Sequence, residues 1–219
     1  MSDPKQRRIE FLRVLGRGGF GAVYLAELES ADGLSQRMAV KLLNPEMAAR
    51  PDIVGRQRDE ARLLAQLHHH NIVRVYELLT LHDRPAVLME YVEGVDVQVI
   101  LAEESHFPVR SALQVTAAVA SALDAAHNSE NPKTGQPLHV VHRDIKPANI
   151  LVSIHGGVKI LDFGVARGDF TREGHTKGAV LGTDGFIAPE QWLRHEISHA
   201  ADIFALGVSL LAMLTGEYP

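Results

Sequence analysis

The chain has 219 residues, 46% of them apolar and 22% charged, enough for one or two packed cores in a protein that faces water. A net charge of -5 speaks against a basic nucleic-acid-binding face, and the lack of cysteine excludes disulfides, thiol chemistry and thiolate metal sites. The polar N-terminus is unlike a signal peptide and no apolar run reaches membrane-spanning length, so a cytoplasmic setting without membrane contact is expected, any anchor lying in a longer parent chain.

In chain order, residues 9–15 (IEFLRVL) predict a strand, a glycine cluster follows, and AVYLAEL predicts a second strand. MAVKLL, within residues 35–43, predicts a third. From about Ile53 to Leu67 the pattern turns helical, with Glu60, Leu64 and Leu67 at steps of four and three. Residues 72–79 and 86–91 predict two more strands. The character changes near Gly94. Residues 111–127 predict an alanine-rich helix, apolar on most faces and therefore buried. Residues 128–137 are polar and loop-forming, and the short apolar runs HVVH, NILVS and VKILDF follow, separated by turns. Residues 167–185, rich in glycine and threonine, predict a mobile loop, and residues 200–214 an apolar helix. Of the twelve histidines, only His68, His69 and His70 form a run. Adjacent residues do not share a helix face, so a structural or solvent-exposed role is expected for them.

Gly16, Gly18 and Gly21, with Val23 two positions on, form a glycine loop between two strands. Glycine lets backbone N–H groups approach phosphates with no Cβ in the way. A dinucleotide fold or a P-loop would place a helix after the glycines, so this spacing favours a phosphate-covering flap over a tight hairpin and no more. The specific signal lies further on. His142-Arg143-Asp144-Ile145-Lys146-Pro147-Ala148-Asn149 is followed by Asp162-Phe163-Gly164 and then by Ala188-Pro189-Glu190. Lys41 sits on the third strand and Glu60 on the next helix.

Together these five ordered elements resemble the signature set of protein kinases, from Ile9 to the end of the chain, and KPANIL and DIFALGVSLLAMLTG look most like bacterial Hanks-type Ser/Thr kinases. The resemblance implies an α+β, two-lobe fold: an N-lobe of antiparallel sheet plus one helix over about 9–90, a hinge at about 90–94, and a mainly helical C-lobe over about 95–219 lacking its last helices. Residues 1–8 would be a flank. It implies ATP as substrate with Mg²⁺, or Mn²⁺ in its place. Lys41 would hold the α- and β-phosphates and Glu60 would hold Lys41. Asp144 would accept or orient the acceptor hydroxyl, Lys146 would steady the moving phosphoryl, and Asn149 and Asp162 would ligate metal. Val23 and Ala39 would cover the adenine, Leu151 would lie beneath it, Met89 would control the back of the pocket, and Glu90 and Val92 would offer backbone groups to its edge. Leu64, Val75, His142 and Phe163 would stack between the lobes of the active enzyme.

The same resemblance ties Arg143 to control by phosphorylation of the loop, with Thr171 and Thr176 as acceptors and Thr183 as the threonine beside Asp144 and Lys146. Asp202 would anchor the catalytic loop from the last helix. Asp184 and Phe186 depart from the usual proline and tyrosine, and the insertion NSENPKTGQPLH has no role in the pattern. The missing helices would normally bring the arginine that pairs with Glu190. The partners implied are protein substrates, with a homodimer or further C-terminal domains left open. Two other readings stay beside the active kinase. One is a pseudokinase or inactive nucleotide-binding scaffold, and the other, less supported, is a small-molecule kinase.

Overall fold

The computed structural model describes residues 7–132, 134–163, 184–193 and 197–218. The chain divides into two compact units, one formed by Met1–Ala65 and Arg74–Tyr91, the other by Gln66–Val73 and Val92–Pro219.

The first unit is built on a five-stranded antiparallel sheet: β1 (Arg8–Gly18), β2 (Gly21–Glu29), β3 (Ser35–Leu43), β4 (Val75–Leu81) and β5 (Arg84–Glu90), in the order β1-β2-β3-β5-β4. Period-two alternation puts Met38, Val40 and Leu42 of β3 on one face, packed with Ala26, Ala86 and Leu88 into the core. Gly21 opens β2 where a Cβ would drive into Leu42 O, so only glycine lets β2 lie this close to β3. Two helices join the sheet, α1 (Pro45–Ala48) and α2 (Pro51–Leu64). Helix α2 starts on a proline at its first turn and stops at Leu64, one turn short of the expected Leu67, which lies buried in the second unit's 66–73 segment. Its buried stripe of Ile53, Gln57, Glu60, Ala61 and Leu64 carries two polar residues.

The second unit opens with β6 (Gly94–Asp96) and α3 (Val97–Glu104), neither of which the sequence pattern predicted. Asp96 caps α3 by accepting from Val99 N at 2.9 Å. Then come α4 (Val109–His127), β7 (Ile150–Ser153), β8 (Val158–Ile160), α5 (Pro189–Trp192) and α6 (Ala200–Thr215). Strands β6, β7 and β8 make a small antiparallel sheet in that order. The segment 66–73 joins this unit by backbone: Ile160 N donates to Asn71 O at 2.8 Å and Val73 N to Ile160 O at 3.1 Å. Asn71 Nδ2 adds a bond of 2.7 Å to Val158 O.

Helix α4 buries only one stripe, Ala112, Val115, Val119, Ala122, Leu123 and Ala126, and leaves Leu113 exposed. The expectation of burial on most faces is therefore corrected. Alanine favours helix wherever it stands and does not need a core partner. The expected loop after α4 is closed by an isolated bridge between Glu130 and Pro137: Leu138 N donates to Ser129 O and Asn131 N to Gln136 O, both at 2.8 Å. Helix α6 packs on α4 through Ala201, Ala205, Leu206, Ser209, Ala212 and Met213, and exposes Ile203, Phe204 and Leu211.

Candidate active site

In the first unit, strand register groups the candidate nucleotide-binding residues. Lys41 stands opposite Val23 and Val87, and Ala39 opposite Leu25 and Met89. Directly opposed residues share a face, so Val23, Ala39, Lys41 and Met89 lie on the side of the sheet away from the Met38–Val40–Leu42 core. Gly16 pairs with Val23 and Gly18 with Gly21 across the turn, and nothing lies within 4 Å of where a Cβ on Gly16 or Gly18 would stand. Glu60 is buried on α2. Glu90 closes β5, its N donating to Arg74 O at 2.9 Å and its Oε2 accepting from Arg74 N at 3.2 Å.

In the second unit, three candidates meet. Asn149 Nδ2 donates to Asp144 Oδ2 and to Asp144 O, both at 2.7 Å, and Lys146 Nζ lies 3.3 Å from Asp144 Oδ1. The loop is fixed from below by Asp202, which accepts from His142 N at 2.6 Å and Arg143 N at 2.7 Å. Burial pushes the Asp202 carboxyl up, while these two amides pull it back. His142 is fully buried. Its Nε2 donates to Leu161 O at 2.9 Å and its Nδ1 accepts from Asp144 N at 3.3 Å, which fixes a neutral ring. Burial holds its pKa below the usual histidine range. Its ring lies 4.5 Å from that of Phe163, within the same unit.

Arg143 and Asp162 both adopt left-handed backbone, at φ 68° and 45°. Such conformations cost about 1 kcal/mol or more each and are held by their surroundings. Asp162 is exposed, and Leu151 and Val92 are half-buried, Leu151 on β7 opposite Lys159 and Asp96. Arg143 Nε is buried with no hydrogen-bond partner among the described residues. Thr171, Thr176 and Thr183 lie outside the described residues. Two residues that motif reading passed over also serve the site. Gln191 Oε1 accepts from Ala188 N at 3.1 Å and its Nε2 donates to Arg143 O at 3.3 Å, tying α5 to the catalytic loop. Asn71 fastens β8, the strand that precedes Asp162.

Among the described residues no group of three or more carboxylates, histidines or cysteines is set to hold a metal. Mg²⁺ takes only one or two protein ligands when phosphates supply the rest, and Asn149 and Asp162 suit that pattern. Asn149 Nδ2 is committed to Asp144, so its Oδ1 is the atom left for a cation. The His68–His70 run is structural at its centre: His69 accepts from Asn71 N at 3.2 Å and meets Ser121 Oγ at 3.3 Å. No helix among the described residues is long and apolar enough to cross a membrane.

The model of the protein kinase domain family matches residues 9–219. The chain belongs to the protein kinase family. This kinase domain is of the Hanks type, with the two-lobe fold of an antiparallel N-lobe sheet plus helix and a mainly helical C-lobe in which α6 is the last element. It is 40% identical over 212 residues to "Tyrosine-protein kinase MasK" of Myxococcus xanthus (strain DK1622), covering 95% of this chain and 33% of MasK. It is 36% identical over 213 residues to the serine/threonine-protein kinase PrkC of Bacillus subtilis (strain 168), covering 97% of this chain and 31% of PrkC. The kinase domain thus spans about a third of the length of these relatives. Among solved structures, the Mycobacterium tuberculosis PknI kinase domain superposes with a TM-score of 0.71 at 26% identity, covering 100% of this chain and 78% of that one.

Proposed function

We propose that this domain transfers the γ-phosphoryl group of ATP to serine and threonine hydroxyls of proteins. The observation that carries the reading is the Asp144–Lys146–Asn149 cluster on a loop anchored by Asp202. Asp144 would take the proton of the acceptor hydroxyl as its oxygen bonds to the γ-phosphorus and the bond to the ADP oxygen breaks. Asn149 and Lys146 keep that carboxylate in one orientation, and Lys146 offsets charge on the moving phosphoryl. Lys41, held by Glu60, would meet the α- and β-phosphates. Val23, Ala39, Met89 and Leu151 would enclose the adenine, with Glu90 and Val92 at its edge. Mg²⁺ on Asn149 and Asp162 would neutralise phosphate charge.

We also propose that the domain phosphorylates its own loop at Thr171 or Thr176. Arg143 Nε, buried with no hydrogen-bond partner among the described residues, supports this, because a phosphate is the kind of acceptor a guanidinium binds best. The 40% identity to a relative named as a tyrosine kinase favours tyrosine as a second acceptor class. Lys146, two positions after Asp144, resembles the Ser/Thr branch. Phosphoamino-acid analysis after incubation with labelled ATP and Mg²⁺ decides between them. Phosphothreonine and phosphoserine are expected, whereas label on tyrosine alone would overturn the Ser/Thr reading. Mass spectrometry of the same protein and its D144N form should find loop phosphate only in the first.

A further inference from the structure

Residues 184–193 pass through a helical turn at Asp184–Phe186 into α5. Gln191, in the first turn of α5, folds its side chain back, and its Oε1 accepts from Ala188 N at 3.1 Å. That bond caps the helix, since Ala188 stands at the N-cap with no side-chain oxygen of its own. The same amide also reaches out of the helix, its Nε2 donating to Arg143 O at 3.3 Å. The two partners fix which end of the amide is which, because a backbone N–H needs an oxygen and a carbonyl needs an N–H. A glutamate would cap the helix equally well. Only an amide can cap it and also donate to the catalytic loop.

The carbonyl that Gln191 reaches belongs to the peptide that carries Asp144. The N–H of that same peptide, Asp144 N, donates to His142 Nδ1 at 3.3 Å. Arg143 holds left-handed backbone, φ 68°, which a residue with Cβ keeps only under constraint from its surroundings. Its N–H donates to Asp202 Oδ1 at 2.7 Å, and its carbonyl accepts from Gln191. One side of the strained residue is therefore held from α6 and the other from α5. Rotation of the Arg143–Asp144 peptide would break the Gln191 and His142 bonds together, so these two bonds set where the Asp144 side chain leaves the backbone. Asn149 and Lys146 then orient the carboxylate itself.

We propose that Gln191 is a positioning residue for phosphate transfer, its one amide tying the 184–191 segment to the Arg143–Asp144 peptide so that Asp144 stays in place. The segment it starts from is itself packed, with Phe186 and Ala188 both buried. Gln191 thus braces the loop against a fixed body. Its partners are the catalytic loop and its own helix turn, so its contribution belongs to kcat and not to ATP binding. The inference rests on the reading of Asp144 as the catalytic carboxylate.

The test uses the 219-residue chain with Gln191→Glu and Gln191→Met. Gln191→Glu keeps the acceptor for Ala188 N and loses the donor to Arg143 O, whereas Gln191→Met loses both. Gln191→Glu should keep the wild-type urea midpoint and KM for ATP, while its kcat falls by about tenfold. Gln191→Met should lose as much kcat and some stability as well. Amide hydrogen exchange reads the bridge without activity. In Gln191→Glu, Asp144 N should exchange faster while Ala188 N keeps its wild-type rate, and in Gln191→Met both should exchange faster. A residue that only caps the helix would leave Gln191→Glu with the wild-type kcat and the wild-type Asp144 exchange, and either result overturns the proposal. Should no form transfer phosphate, the kinase reading fails, and the Asp144 exchange alone decides whether Gln191 holds that peptide.

Discussion

The two units hold their functional groups in different ways. In the second, Asp144, Lys146, Asn149, His142 and Asp202 are bonded to one another or to the loop backbone, and the deepest of them are buried. In the first, the glycine turn stands in open space at Gly16 and Gly18, and strand register sets Val23, Ala39, Lys41 and Met89 on one face of the sheet. Groups that would move a proton are thus fixed in advance, whereas groups that would cover a flexible triphosphate have room to adapt. Preorganisation matters most where charge changes in the transition state. Stability and activity should accordingly separate in one unit and move together in the other.

The largest expected effect is in the second unit. Asp202→Ala leaves the buried His142 amide and the part-buried Arg143 amide without an acceptor, each costing about 1–3 kcal/mol. Urea unfolding should show a loss of about 2–5 kcal/mol, with phosphate transfer falling in parallel. An unchanged urea midpoint would break the link between loop anchoring and fold. Next comes a contrast within the glycine turn. Gly21→Ala forces a Cβ against Leu42 O and should cost about 1–3 kcal/mol. Gly18→Ala meets nothing, and its stability should stay within about 0.5 kcal/mol of wild type while KM for ATP rises. Equal destabilisation of both would show that the turn is structural throughout.

A smaller gain is expected at Gln57 on α2, whose Oε1 and Nε2 are both buried with no hydrogen-bond partner among the described residues. Gln57→Met keeps the length of the side chain and removes the unmet amide, which should stabilise the unit by about 1 kcal/mol in the same assay. The smallest effect is mild acidification. His142 has a folded pKa below 6.5, so its contribution is complete above pH 6.5 and is lost as pH falls toward the folded value. From pH 6.5 to 6 that loss is at most about 0.7 kcal/mol, the limit for one proton over half a unit. Asp202, which burial shifts upward, has the opposite sign, its protonation favouring the folded state as pH falls toward 3.8. A chemical-denaturation midpoint that rises between pH 6.5 and pH 6 would contradict the neutral, buried His142.

The sequence was most legible where residue type is dictated by a single local need. Period-two runs such as Met38-x-Val40-x-Leu42 mark strands because one face must be buried. His142 to Asn149 can be read from spacing because the loop's own bonds, Asn149 to Asp144 above all, are local. Helix α4 misled because alanine is apolar on paper and indifferent to burial in fact. Helix α3 was missed although Asp96 is an ordinary capping residue, since only Val97 and Leu101 mark its buried side. Asn71 and Gln191 act on partners 87 and 48 residues away, and no local pattern announces such bonds.

The most direct test of the account is the rate of Mg²⁺-dependent phosphate transfer from labelled ATP to a generic protein acceptor, in wild type and in Asp144→Asn. Transfer by the wild type that falls by about 10²–10⁴ in the variant, with folding unchanged, is the predicted result. Equal rates in the two proteins would contradict the assignment of Asp144, and with it the claim that the anchored loop of the second unit carries the chemistry.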